Sequence, residues 1–143
     1  MKTIALIGLV VTIVAMITLL LRQSLFATGP VTITLQVLAV LLMIWARVTF
    51  GFRSFHAGAN PTEGGIVSTG PYRFWRHPIY AAIIYFVVVA LCCHFSFLNL
   101  LLTVIVIGGL AARMLAEETL LVKRYPEYAD YAAHTKRVVP FVL

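Results

Sequence analysis

The sequence predicts an all-α integral membrane protein with about four transmembrane helices, a cytoplasmic loop and a short interfacial helix near the C-terminus. Three observations predict it. The 143 residues are 62% hydrophobic and 11% charged, where a soluble domain carries about 45–50% and about 25%. The apolar residues gather in runs of about 20, the length of helix that crosses about 30 Å of hydrocarbon. The basic residues stand at the ends of those runs and not along one face. The net charge of +6 therefore reads as membrane topology. No basic face or motif supports nucleic-acid binding. The length suits a single domain over residues 1–143.

The first run covers residues 2–21. It is too long for a usual signal-peptide h-region, and no small-residue cleavage site follows, so it is expected to stay as a span. Arg22 to Pro30 is a short polar turn closed by Gly29-Pro30. The second span covers 31–50, with Trp45 as an aromatic anchor and Arg47 placed to snorkel to the interface. Residues 51–77 form the longest polar stretch, with four glycines before Gly70. Polar loops of this length in small chains are usually functional or disordered, and the aromatics here argue for function.

The third span is expected over 78–97, followed by a tight turn around His94–Asn99. The fourth covers 99–118, and its helix should continue past the membrane toward Lys123. Gly108-Gly109 permits close packing against a neighbouring helix. Cys92 and Cys93 are adjacent in an apolar run, which is no metal-binding spacing, and they read as small buried hydrophobes. In the tail, Tyr125, Tyr128 and Tyr131 recur every three residues and are expected on one face of the interfacial helix. Ten of the eleven Lys and Arg residues fall at one membrane side, leaving only Arg22 opposite. Both termini are then cytoplasmic, in the inner membrane if the chain is bacterial.

The chemistry concentrates in Gly70-Pro71-Tyr72-Arg73-Phe74-Trp75-Arg76-His77-Pro78-Ile79-Tyr80. Pro71 favours a turn, and Pro78 suits the first turn of a helix, where a missing N–H costs nothing. His77 and Arg76 then sit at a helix N-terminus, which favours an anion. On the same membrane side, Arg113 and Glu117 are four apart and share a helix face. Cations for a carboxylate, and a carboxylate for an ammonium or a hydroxyl, would suit a small zwitterionic ligand.

The segment Ile66-Val67-Ser68-Thr69-Gly70-Pro71-Tyr72-Arg73-Phe74-Trp75-Arg76-His77-Pro78-Ile79-Tyr80 closely resembles the LVTxGPYxxxRHPxY signature of the isoprenylcysteine carboxyl methyltransferase family. Arg113 to Glu118 is similar to that family's RxxxEE. The tail from Tyr125 to Pro140 resembles its closing pattern. The resemblance implies S-adenosylmethionine as cofactor, S-adenosylhomocysteine as product, and methyl transfer to a lipophilic small-molecule or prenylated acceptor in the bilayer. Carboxyl O-methylation of isoprenylcysteine type is the expected reaction. It further implies that Gly64, Gly65, Ile66 and Val67 cradle the cofactor by backbone. Tyr72, Arg76, His77, Pro78 and Ile79 would line its pocket, and Glu117 would bind it. Arg113 would hold the acceptor carboxylate, and Arg113 and Glu118 are the catalytic candidates.

The chain departs from the pattern at Gly64, where many members have His, at Pro126, where Gly is common, and at His134, where Arg is common. The alternatives are a phospholipid or amine N-methyltransferase or thiol S-methyltransferase of the same fold, an NADPH-dependent sterol-type reductase, and a non-catalytic membrane protein. An amine acceptor would need a base, with His77 or Glu118 the candidates. The reductases tend to carry Asn after the Pro of the RHP element, where Ile79 stands here.

Overall fold

Apolar runs with proline only at their first positions satisfy every interior backbone group as helix, and the bilayer demands that. The computed structural model describes residues 2–51 and 65–139. Its helices are α1 Lys2–Leu21, α2 Pro30–Phe50, α3 Pro78–Cys93, α4 Phe97–Arg124 and α5 Tyr128–His134, with a 3-10 turn at Gly70–Arg73. No extended strand occurs among the described residues. Helices α1, α2 and α4 are long and apolar enough to cross a membrane. Apolar side chains such as Ile7, Val14, Leu38 and Leu41 remain exposed on α1 and α2. Water would penalise such faces, whereas hydrocarbon accepts them.

Helix α3 stops at Cys93, short of the expected 97, and α4 begins at Phe97. The reason is local. Ser96 caps α4 by accepting the Asn99 N–H through Oγ at 3.1 Å, and Asn99 Nδ2 donates to the His94 carbonyl at 2.6 Å. These polar groups end one helix and start the next inside what reads as an apolar run. With 16 residues α3 spans about 24 Å. The turn is further tied down by Arg22 Nε, which donates to Asn99 Oδ1 at 3.1 Å, and by a 2.8 Å contact from His94 Nε2 to the Phe26 carbonyl oxygen.

Helix α1 packs on α4, α2 on α3, and α3 on α4. Ala5 clusters with Ala116, and Ala15 and Leu19 cluster with Leu102 and Val106, so α1 and α4 are antiparallel. Gly8 and Gly109 let them approach. A Cβ on Gly109 would lie 2.5 Å from Thr12 Oγ1 and 2.7 Å from the Gly8 carbonyl oxygen, whereas one on Gly108 meets nothing within 4 Å. Of the two adjacent glycines, only Gly109 makes the contact. Gly109→Val is therefore expected to lower thermal stability in detergent by about 1–3 kcal/mol, the usual cost of overpacking. Gly108→Val is the control, and an equal loss in both would trace the effect to helix propensity alone.

Between α2 and α3, Gln36 is a buried amide with every role filled. It donates to the Leu25 and Phe86 carbonyls at 3.0 and 3.1 Å and accepts the Ala27 N–H at 2.8 Å. An apolar crevice of about 240 Å³ lies nearby, lined by Met16, Leu25, Phe26, Ala39 and Phe86 among others. The antiparallel order brings the N-terminal end of α3 to the C-terminal part of α4, where the polar residues collect.

Candidate functional site

The motif is held from both sides. Gly70 has φ +55°, and a Cβ there would lie 2.6 Å from Thr49 Oγ1 and 3.3 Å from Trp45 Nε1, so the turn sits directly on α2. The Tyr72 ring packs on Phe50 with centroids 5.4 Å apart. On the other side the chain after α5 runs alongside Phe74–His77 as a strap. The Arg76 N–H donates to the Lys136 carbonyl at 2.7 Å and the His77 N–H to the Arg137 carbonyl at 3.1 Å. Trp75 and Lys136 form a parallel bridge.

His77 precedes Pro78 as the N-cap residue of α3. The anion expected at that helix end is present, and it belongs to the protein. Glu118 Oε1 lies 3.1 Å from His77 Nε2 and 3.2 Å from Arg76 Nε. The Arg76 approach is a charge contact and not an aligned hydrogen bond, since that Nε has no hydrogen-bond partner. Glu118 Oε2 accepts from Arg137 Nε and Nη2 at 3.0 and 2.9 Å. Hydrogen bonding to Glu118 is the main reason the Arg137 guanidinium holds its proton even more firmly than usual. Arg76 Nη1 also donates to the Ala132 carbonyl at 2.5 Å, which ties α5 into the cluster.

Glu117 belongs to a second cluster nearer the middle of α4. Its Oε1 accepts from Tyr80 Oη at 2.6 Å and forms an ion pair with Arg113 Nε at 3.0 Å, and Arg113 Nε donates to Tyr80 Oη at 2.6 Å. Glu117 Oε2 is 3.9 Å from His77 Nδ1. The rings of His77 and Tyr80 stack with centroids 5.5 Å apart, which links the two clusters. Arg113 is 5% exposed, so its charge is held almost entirely by protein.

The structure thus brings Arg76, His77, Glu117, Glu118 and Arg113 together. Pro78 is buried at the start of α3 and Ile79 is half-buried beside it. Gly65, Ile66 and Val67 are half-buried, and among the described residues no hydrogen bond joins them to either carboxylate. Gly64 lies outside the described residues. Tyr72 turns toward α2 and α5, and its carbonyl accepts from Tyr131 Oη at 2.7 Å.

The tyrosine face expected in the tail is split: Tyr125 is the C-cap of α4, and only Tyr128 and Tyr131 lie in α5. Burial pushes both hydroxyls up, Tyr131 to about 12, so they remain neutral. Two residues that carry the geometry have no role in the sequence reading, Tyr80 and Arg137. Tyr80 sits three positions after His77, one helical turn on, which is the spacing that could have found it.

The model of the isoprenylcysteine carboxyl methyltransferase (ICMT) family matches residues 30–123. The chain belongs to this family. The match runs from α2 through the motif and α3 to the end of α4, so it contains both carboxylates and Arg76, His77 and Arg113. No curated protein and no solved structure matches the chain. As an ICMT-family member with three helices able to cross a bilayer, the protein is an integral membrane methyltransferase.

Proposed function

We propose that this ICMT-family protein uses S-adenosylmethionine to methylate the carboxylate of a lipophilic, isoprenylcysteine-type acceptor at the cytoplasmic membrane face. One observation carries the choice of a carboxylate. Glu118, the candidate base, spends its acceptor capacity on His77 and Arg137 and pairs its charge with Arg76. A carboxylate offers about four acceptor positions, and the His77 ring and the Arg137 guanidinium take them. His77 turns its Nε2 to that same carboxylate. Neither group is placed to take a substrate proton. An ionised carboxylate acceptor needs no base, whereas an amine does.

The residues present fit the cofactor. A methionine-derived ligand needs an acceptor for its ammonium or its ribose hydroxyls and cations for its carboxylate. Glu117 Oε2 lies 3.9 Å from His77 Nδ1, too far for a hydrogen bond, and so retains acceptor capacity toward a ligand. Arg76 supplies the positive charge, and His77 a ring nitrogen. Trp75 Nε1 is a buried donor with no partner among the described residues.

Glu117, Arg76 and His77 would hold S-adenosylmethionine, which when bound supplies a sulfonium methyl open to in-line displacement by an oxygen nucleophile. Arg113 would orient the acceptor carboxylate through charge-assisted hydrogen bonds. Tyr80, bonded to both Glu117 and Arg113, sets the spacing between the two ligands. Orientation of this kind supplies several kcal/mol of the barrier without any proton transfer. In this reading the chain is a single domain over 1–143. Helix α3 makes the fourth crossing, packed between α2 and α4, and both termini lie on the cytoplasmic side with the site.

The test is isothermal titration of detergent-purified protein with S-adenosylhomocysteine, followed by methyl transfer from labelled S-adenosylmethionine to a farnesylcysteine analogue. Binding, and a base-labile methylated product, are expected. No heat at millimolar ligand would overturn the cofactor assignment, and a base-stable product would overturn carboxyl methylation in favour of an amine or thiol acceptor.

A further inference from the structure

We propose that Tyr128 is a ligand-binding residue, whose hydroxyl donates a hydrogen bond to an acceptor oxygen of the bound cofactor. The inference rests on the cofactor reading above and extends the site to α5, beyond the segment matched by the family model. Tyr128 is 3% exposed, yet its hydroxyl has no hydrogen-bond partner among the described residues. A buried hydroxyl without a partner costs free energy, and native folds rarely keep one without a use.

The hydroxyl is also in the right neighbourhood. Tyr128 and Ala132 are four apart and share one face of α5. Arg76 reaches that face and donates to the Ala132 carbonyl. The ring packs on Tyr131, centroids 5.8 Å apart, and Tyr131 in turn bonds the Tyr72 carbonyl of the motif. Glu118, Arg76 and Arg137 are the charges that act on the Tyr128 hydroxyl, while burial keeps it protonated. It is therefore a neutral donor beside two arginines, and the partner it suits is a ligand oxygen such as a carboxylate or a ribose hydroxyl.

Its neighbour makes the contrast. Tyr131 already has a protein acceptor, at 2.7 Å. The two hydroxyls should therefore respond in opposite ways to removal. Tyr128→Phe deletes an unpaired polar atom, so the ligand-free protein should melt at an unchanged or higher temperature. Its affinity for S-adenosylhomocysteine should fall by about 5- to 10-fold, the loss of one neutral hydrogen bond. Tyr131→Phe should do the reverse, lowering the ligand-free melting temperature with little change in affinity.

Both variants and the wild type are titrated with S-adenosylhomocysteine and melted without it. Equal affinity in wild type and Tyr128→Phe overturns the inference, as does a drop in ligand-free stability, which would reveal a structural partner for the hydroxyl. A wild type that binds no S-adenosylhomocysteine overturns the cofactor reading itself, so the two failures are distinct.

Discussion

Glu118→Ala is expected to reduce methyl transfer by about 100-fold or more, the usual penalty when catalytic groups lose their placement. The carboxylate is 12% exposed and holds Arg76, His77 and Arg137 at once. Its removal strands two side chains that cannot reach water easily, Arg76 at 11% and His77 at 6% exposure. Arg137 is 47% exposed and can turn to solvent, so its pair contributes little. The buried pair decides the outcome, and breaking such pairs costs about 3–5 kcal/mol. Both the activity and the melting temperature should fall, while circular dichroism shows the helices intact. Glu118→Gln keeps one acceptor oxygen and should fall between. Full activity in Glu118→Ala would mean that the three side chains are held elsewhere and that Glu118 only decorates the helix.

The second large effect separates Arg113 from Glu117. They form an i,i+4 pair at 3.0 Å, yet they should fail in different ways. In Arg113→Ala, Tyr80 still donates to Glu117 Oε1, so the carboxylate keeps a partner and its position. S-adenosylhomocysteine affinity should stay close to wild type while turnover drops steeply. Glu117→Ala removes the acceptor proposed for the ligand and should weaken S-adenosylhomocysteine by about 1–3 kcal/mol, the range for a charge-assisted hydrogen bond. Titration of both variants with S-adenosylhomocysteine, beside a methyl-transfer assay, measures the split. Equal loss of affinity in the two would reject the division of labour. Wild-type activity in both would reduce the pair to a structural ion pair.

Much of this architecture is legible in the chain because the bilayer leaves few options. Runs of about 20 apolar residues with Pro30 and Pro78 at their first positions admit helix and little else. Residues 2–21 match α1 to the residue, and 31–50 match α2 to within one. The end of α3 was hidden because hydropathy cannot see a hydrogen bond. His94, Ser96 and Asn99 interrupt an apolar run only by pairing with one another and with Arg22.

The site shows the same limit. The i,i+4 spacing of Arg113 and Glu117 is periodicity, so their ion pair could be read from sequence. The meeting of Arg137 with Glu118 depends on the path of the chain after α5, and no local pattern encodes it. Gln36 is silent in the sequence for a related reason. A single amide in a span carries no signal until its three partners, two in the preceding link and one on α3, are in place.

The strap that borders Phe74–His77 has a consequence for biogenesis. Lys136 and Arg137 supply the acceptors for two motif N–H groups and the bidentate partner of Glu118. The ribosome makes these residues after α1 to α4, and chains acquire structure from the N-terminus during synthesis. A nascent chain that has just threaded α4 therefore has helices α1 to α4 but lacks the strap that borders Phe74–His77. The contacts of Lys136 and Arg137 with the motif and with Glu118 therefore form only after α4 has been made.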